Sequence, residues 1–331
     1  MAFSRVVQKR GIILAWAMGI ALVPGVSGAG GPGDASGLLG EMRHAMGRLN
    51  YRGSVVYLKD QQLESFQVFH SVADGVERER MLSTNTPLRE VVRNAHKVTC
   101  YFPDTRTIAT ETRSSRHSIL LDIPDDLTQL QGLYSFSLGD KEVVAQKSAQ
   151  LVRIDPRDGY RYGRRLWVDD ASKLPLKLEL IDDANQSVEQ VVFTSLSVEP
   201  QLPPEVLEPS TRVDAGWLVK EHQALNADSL RWTLEGVPEG FHMMSYSRLR
   251  RSSDSSTVEH ILLSDGLASV SIYVDDMKDD FVVGHPGKIG AINSAARRLD
   301  AHLVTVIGEV PEKTVQAIAN GIRQQSSGGA Q

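Results

Sequence analysis

The sequence predicts an exported α+β protein in two parts: a large antiparallel sheet, curved or closed toward a barrel, and a smaller α+β domain after it. Three observations carry this. About ten short β-rich segments follow one another between residues 50 and 200 with turn formers between them. A proline cluster, "VEPQLPPEVLEPS", then breaks the pattern, and beyond it a hairpin gives way to helix-like periodicity. The first 29 residues read as a leader, outside any fold.

In the leader, Arg5, Lys9 and Arg10 form a basic start, Ile12 to Val23 is apolar, and "VSGAG" offers small residues for cleavage near Ala29. A membrane span needs about 20 apolar residues, so the run suits a cleaved signal peptide better than an anchor. No other segment is apolar enough to cross a bilayer. Without residues 1–29 the chain keeps 33 Lys+Arg against 41 Asp+Glu, a net charge of −8. Exported and acidic, it is not expected to bind nucleic acid. The single cysteine, Cys100, cannot form an intrachain disulfide. It reads as a buried thiol, with an intermolecular or redox role as the alternative.

Residues 30–200 form the first domain. In "ASGLLGEMRHAMGRL", Leu38, Leu39, Met42, Met46 and Leu49 recur at helical spacing, with Asp34 or Ser36 as cap. Strand-like segments follow: "YRGSVVYL", "SFQVFHSV", "VERERML", "REVVR", "HKVTCYF" and "RTIATET". After a less regular stretch near 114–140 come "LVRID", "YRYGRRLWV", "LPLKLELI" and "EQVVFTSLSV". Residues 201–214 read as a stiff proline-rich linker. In the second domain, 215–323, a strand is expected through "FHMMSYSRL", and "TVEHILLS" and "LASVSIYV" flank the hairpin signal Asp265–Gly266. A helix is expected with Ile289, Ile292, Ala296 and Leu299 on one face. The strand "HLVTVIGEV" then leads through Pro311 to a helix bearing Val315, Ile318, Ala319 and Ile322. The expectation is a three- or four-stranded sheet under two helices, and a disordered tail at 324–331.

Signatures of chemistry are mostly absent. There is no G-x-S-x-G, H-E-x-x-H or C-x-x-C, so the chain is read as a non-enzyme without a cofactor. "GHPGKIG" lacks the spacing and hydroxyl of a phosphate loop. "DDMKDD", with Asp275, Asp276, Asp279 and Asp280, lacks the ligand alternation of a calcium loop and reads as a solvated acidic loop, with weak divalent-ion binding as the alternative. No histidine has a second ligand at metal spacing. In "GRRLWVDDASKLPLKLELID", Leu166 and Val168 share one strand face and Trp167 takes the other. Asp169 and Asp170 fall in the turn that follows, where aspartates bond backbone amides.

What remains points to binding. Several strands carry large apolar residues on both faces, as in Val55 and Tyr57 against Val56 and Leu58. Such a sheet is covered on both sides or encloses something apolar. Phe66, Phe136 and Trp167 are the candidates for an apolar cavity or its rim. Arginines cluster at Arg161, Arg164 and Arg165 and at Arg248, Arg250 and Arg251. Of these, Arg161, Arg165, Arg248 and Arg250 are the candidates to contact an anionic lipid or a partner through guanidinium forks; a solvated basic face is the alternative.

Taken together, "YRGSVVY", "GVERERML", "RDGYRYGRRLWVDDASKLPLKLELID", "VEHILLSDGLASVSIYV" and "HLVTVIGEVPEKTVQAIANGI" resemble the RseB/MucB family, periplasmic negative regulators of envelope-stress sigma factors. The resemblance runs in order through nearly the whole chain after the leader and is thin from Thr112 to Ser137. It implies a half-open LolA-like barrel with covering helices and a smaller C-terminal domain. It also implies a periplasmic protein that binds the periplasmic part of a membrane-spanning anti-sigma factor, shields it from site-one proteolysis, and is displaced by lipopolysaccharide-type lipid. A periplasmic lipid or lipoprotein carrier is the alternative, and self-association is left open.

Overall fold

Tight turns set the order of neighbours in the first half of the chain. Asp60–Gln61, Asp74–Gly75 and Ala145–Gln146 each hold positive φ at both central positions, the geometry of two-residue hairpins whose twist matches their strands. The computed structural model describes residues 32–85, 87–94, 97–112, 121, 123–250, 257–276 and 287–325. Residues 1–29, expected to form a leader, most of the tail, Arg251 and Asp279–Asp280 lie outside them.

Helix α1 (Pro32–Met46) opens the described chain, followed by β1 (Asn50–Lys59), β2 (Gln62–Ala73), β3 (Val76–Ser83), β4 (Glu90–Asn94), β5 (Lys97–Phe102) and β6 (Thr107–Thr112). After a 3₁₀ turn at Leu127–Leu130 come β7 (Tyr134–Val144), β8 (Lys147–Pro156), β9 (Gly163–Asp169), β10 (Pro175–Ile181) and β11 (Ser187–Glu199). All pair antiparallel, in the order β7-β8-β9-β10-β11-β1-β2-β3-β4-β5-β6. Strands β6 and β7 follow each other in sequence yet stand at opposite ends of this order. The barrel is therefore half-open.

The concave face is closed over β7 and β8 by α1. Leu39 and Met42, at helical spacing, join Tyr134, Phe136, Val152, Ile154, Leu166 and Leu176 in one buried cluster. Close approach of β1 to β11 requires Gly53: a Cβ there would lie 2.4 Å from the Ser195 carbonyl oxygen. In the β9–β10 turn, Asp169 accepts from Ser172 N at 3.1 Å and Ser172 Oγ at 2.5 Å, and Asp170 accepts from Lys141 Nζ at 2.8 Å. Both aspartates build the corner.

The proline-rich segment does not cross open solvent. It packs as a strap on β2 and β3, with a 3₁₀ turn at Pro204–Leu207 and Leu202 and Leu207 buried. Glu90 holds the strap by accepting from Ser210 N at 2.9 Å and Thr211 N at 3.0 Å, and Arg80 bonds both Glu90 (2.6 Å) and the Val206 carbonyl (3.0 Å). Burial would raise the Glu90 carboxyl, but the amides, the Thr211 hydroxyl and Arg80 together hold it below its usual value.

Beyond the strap run β12 (Leu218–Ala224), β13 (Trp232–Leu234), β14 (His242–Arg250), β15 (Thr257–Ser264), β16 (Ser269–Asp276), β17 (Gly287–Ile289), β18 (Ile292–Leu299), β19 (His302–Gly308), α2 (Glu312–Gly321) and β20 (Ile322–Gln324). The C-terminal sheet has the order β14-β15-β16-β19-β18-β17. Strand β12 splices the two sheets: residues 218–221 run parallel to β6, and 222–224 pair antiparallel with β14. Helix α2 covers β18 and β19, burying Val315 and Ile318 against Ile261, Ile272, Val304 and Val306.

One expected helix is absent. Ile289 to Leu299 forms the β17–β18 hairpin, so α2 is the one helix described over this sheet. Ile289, Ile292, Ala296 and Leu299 fit a helical period, but Gly290 between them sits at φ +59°, which ends any helix there. Pairing with β19 then outweighs the helix propensity of the alanines and arginines.

Candidate ligand cavity at the seam

Strand alternation places Val55, Phe66, Met81, Val91, Cys100, Leu178, Leu180 and Val191 on the concave face beyond the reach of α1. With Leu267, Ile292 and Ile307 of the C-terminal sheet they line a cavity of about 730 Å³. Each wall comes from a different half of the chain, so the site lies at the seam.

Several sets of contacts among the described residues hold that seam. The β15–β16 turn enters the first half: Leu267 joins its buried cluster, and Asp265 accepts from Tyr134 Oη at 2.8 Å and from Arg161 Nε at hydrogen-bond distance. Arg161 also bonds Asp158 and the Glu239 carbonyl. On the far side of the cavity, Glu189 accepts from Tyr57 Oη at 2.5 Å and from Ala291 N at 2.7 Å, while Asp60 accepts from Gly290 N. Asn293 Nδ2 donates to Tyr162 Oη at 3.0 Å, and Thr314 Oγ1 donates to the Tyr160 carbonyl at 2.7 Å. Burial, the hydrogen bond to Glu189 and nearby carboxylates push the Tyr57 phenol up, which keeps it a donor.

Lys59, Glu64, Arg89, Glu90, Arg164, Glu189 and Glu309 supply charge to an otherwise largely apolar wall. Arg89 is paired with Glu64 at 2.6 Å. Burial pushes the Glu309 carboxyl up, Arg164 opposes this, Glu189 adds to it and Lys59 opposes it again, for a net rise. Among the described residues, no group of three metal-ligating side chains comes together.

Two residues further along the same strands, the concave face changes character. His70, Glu79 and Arg93 are buried there. His70 stacks on Tyr51 with ring centroids 4.7 Å apart, and its Nδ1 lies 2.8 Å from the Leu49 carbonyl and its Nε2 2.9 Å from Glu77. Arg93 pairs with Glu77 and, at 3.2 Å, with Glu79. Burial alone would raise the Glu77 carboxyl; the bonds from His70 and Arg93 outweigh it and hold it at about 2.

The residues singled out from the sequence are not brought together. Phe66 lines the cavity. Phe136 is buried in the cluster that α1 covers and does not reach the lining. Trp167 faces the outer side of β9, opposite Leu151 and Lys177, with the Lys177 ammonium 4.2 Å from its ring centroid. Arg161 is committed to the seam contacts, and Arg165, on the outer face beside Trp167, pairs with Asp155 at 2.6 Å. Arg248 lies 4.0 Å from Glu259 on the side of the C-terminal sheet that faces α2. Arg250 ends β14, and its side chain lies outside the described residues. Cys100 is half-buried in the cavity wall. The residues that sequence reasoning missed are Arg164, Glu189, Asp265 and Leu267. For Arg164 a signal existed: it shares a strand face with Leu166 and Val168.

Comparison with known proteins agrees with this two-part design. The MucB/RseB N-terminal domain matches residues 34–211, and the MucB/RseB C-terminal domain matches 226–323. The sigma factor AlgU regulatory protein MucB of Pseudomonas aeruginosa is 27% identical over 300 residues, covering 89% of this chain and 92% of that protein. The sigma-E factor regulatory protein RseB of Escherichia coli is 27% identical over 304 residues, covering 87% and 91%. Among solved structures, MucB in complex with MucA(peri) superposes with a TM-score of 0.69 at 25% identity, over 89% of this chain and all of that one. The Pseudomonas aeruginosa MucA/MucB complex gives 0.71 at the same identity and coverage of this chain. With both halves matched in order, the protein belongs to the MucB/RseB family.

Proposed function

We propose that this protein is a periplasmic negative regulator that binds the periplasmic part of a membrane-spanning anti-sigma factor. Bound there, it shields that segment from site-one proteolysis and keeps the envelope stress response off. The observation that carries this is the match over both halves of the chain to MucB, whose solved structures include a complex with MucA(peri). Residues 1–29 serve as the export signal, residues 30–200 and 215–323 as the two domains, and the regulator acts by binding without turning over a substrate.

The release signal in this reading is an amphiphile, lipopolysaccharide or another acyl lipid, seated in the seam cavity. Its apolar wall and charged rim suit such a ligand. A lipid that prefers the unbound regulator shifts the complex only by its differential affinity for the two states. The carrier alternative draws on the same cavity, but the C-terminal sheet that walls it is surplus to a simple carrier. The test is a pull-down with candidate anti-sigma periplasmic segments, with and without lipid, followed by protease protection. Specific capture and protection, both lost on adding lipid, are expected. Capture of no such segment overturns the regulator reading, and mislocalised lipoproteins with an intact stress response on deletion favour the carrier.

A further inference from the structure

Among the described residues, Arg164 is the one cation of the cavity wall that is buried without an anionic partner of its own. It is 7% exposed, projects from β9 on the concave face and lines the cavity. Its described hydrogen bond goes to a neutral acceptor, the Leu267 carbonyl, across the seam. Among the described residues, no carboxylate lies within 4.0 Å of its guanidinium, whereas the neighbouring Arg161 and Arg165 each have one. The other cavity cations are differently placed. Arg89 is paired with Glu64, and the half-buried Lys59 has its ammonium 5.3 Å from the Tyr57 ring centroid.

A buried guanidinium without a counter-charge is costly, because desolvation is not offset by pairing. Glu309 acts on Arg164 through space only, and among the described residues it makes no ion pair with the guanidinium. The charge of Arg164 is thus left for something else to complete. Beside it, Leu178 and Leu180 of β10 and Val191 of β11 continue an apolar wall toward Phe66 and Met81. An anion with an apolar tail fits both features at once.

We propose that Arg164 is the head-group anchor of the cavity and that the ligand is an anionic amphiphile, with a carboxylate or phosphate on the guanidinium and an acyl chain along the concave face. The proposal rests on the amphiphile reading of the cavity and adds to it the residue that reads the head group. A guanidinium presents two parallel donors to either oxyanion. The Leu267 carbonyl keeps Arg164 oriented toward the seam.

The experiment is calorimetric titration of the purified protein with three probes of equal chain length: laurate, dodecyl phosphate and the uncharged 1-monolaurin. The wild type is expected to bind at least one anionic probe about tenfold or more tighter than monolaurin, the value of one charge-assisted contact. The two anions distinguish a carboxylate from a phosphate head. Arg164→Gln is expected to erase this preference while leaving monolaurin binding in place, and Arg164→Lys to retain part of it. Glu309→Gln, which removes a competing negative charge, is expected to tighten the anionic probes severalfold and monolaurin not at all. This arm and the wild-type preference decide the matter even if Arg164→Gln does not fold. Equal binding of all three probes to the wild type overturns the anchor and leaves the cavity reading standing. Binding of none overturns both.

Discussion

The concave face of the barrel carries a sealed polar network on β2 to β4 and, beginning two residues away at Met81 and Val91, the lining of the seam cavity; their charged groups are built on opposite rules. In the sealed region, His70, Glu77, Glu79 and Arg93 contact one another, and carboxylates meet cationic or imidazole groups at every contact. In the seam cavity, Arg164 has a carbonyl where a carboxylate would be expected, and Glu309 acts on it only through space. The sealed network spends its charges on holding strands together. The cavity keeps one charge in reserve. Arg93 and Arg164 are both buried, so a paired carboxylate, present for one and absent for the other, separates the structural guanidinium from the ligand-directed one.

Breaking the sealed network gives the largest expected effect. Arg93→Ala leaves the buried Glu79 and the largely buried Glu77 without their shared cation. Removing one partner of a buried pair costs about 3–5 kcal/mol, to be read as a lower midpoint in urea unfolding. A loss below about 1 kcal/mol would mean that water already serves these carboxylates, and the two regions would cease to differ in kind.

Acid separates the regions by the sign of their response. The Glu77 carboxyl is held at about 2 in the folded protein against 4.5 without its partners. Its contribution is therefore present above pH 4.5 and is lost as pH falls from there toward 2, up to about 3 kcal/mol in total. Glu309 runs the other way. With its folded carboxyl raised, the folded state takes up this proton before the unfolded chain does, so this group favours folding more as pH falls toward 4.5. Chemical denaturation from pH 7 to 3 is expected to show Glu309→Gln flattening the upper part of the profile and Glu77→Gln removing the steep fall below pH 4.5. Identical profiles for both variants would erase the distinction.

How much of this was legible in the sequence follows from how local each determinant is. The β9–β10 unit could be read because its turn residues bond within a few positions and its strand faces alternate. The β17–β18 hairpin carries a helical period in sequence because its deciding features, the backbone at Gly290 and the pairing with β19, leave no mark in a 3.6-residue repeat. The strap looks like a linker in sequence because its anchor, Glu90, lies 120 residues before Ser210. Arg161 meets Asp265 across 104 residues, and no pattern marks such a pair. Arg164 is different. The alternation of "GRRLWV" already assigns it to the face of Leu166, away from Trp167, so the arginine worth testing could have been chosen by parity alone.

The smallest expected effect tests that parity directly. Arg165 is the immediate neighbour of Arg164, with the same chemistry, on the opposite face of the same strand. Its guanidinium pairs with Asp155, whose side chain is 42% exposed, and such pairs contribute about 0.2–1 kcal/mol. Arg165→Ala is therefore expected to shift the urea midpoint slightly and to leave laurate, dodecyl phosphate and monolaurin binding at wild-type values, where Arg164→Gln changes the anionic probes selectively. If Arg165→Ala weakened those probes as much as Arg164→Gln, the ligand would be sensing the field of a basic cluster and not a particular buried guanidinium. High salt would then abolish the preference, since exposed charges are screened within a Debye length of about 10 Å at 0.1 M. A preference that survives salt and depends on Arg164 alone places the head group inside the seam, where screening ions do not follow it.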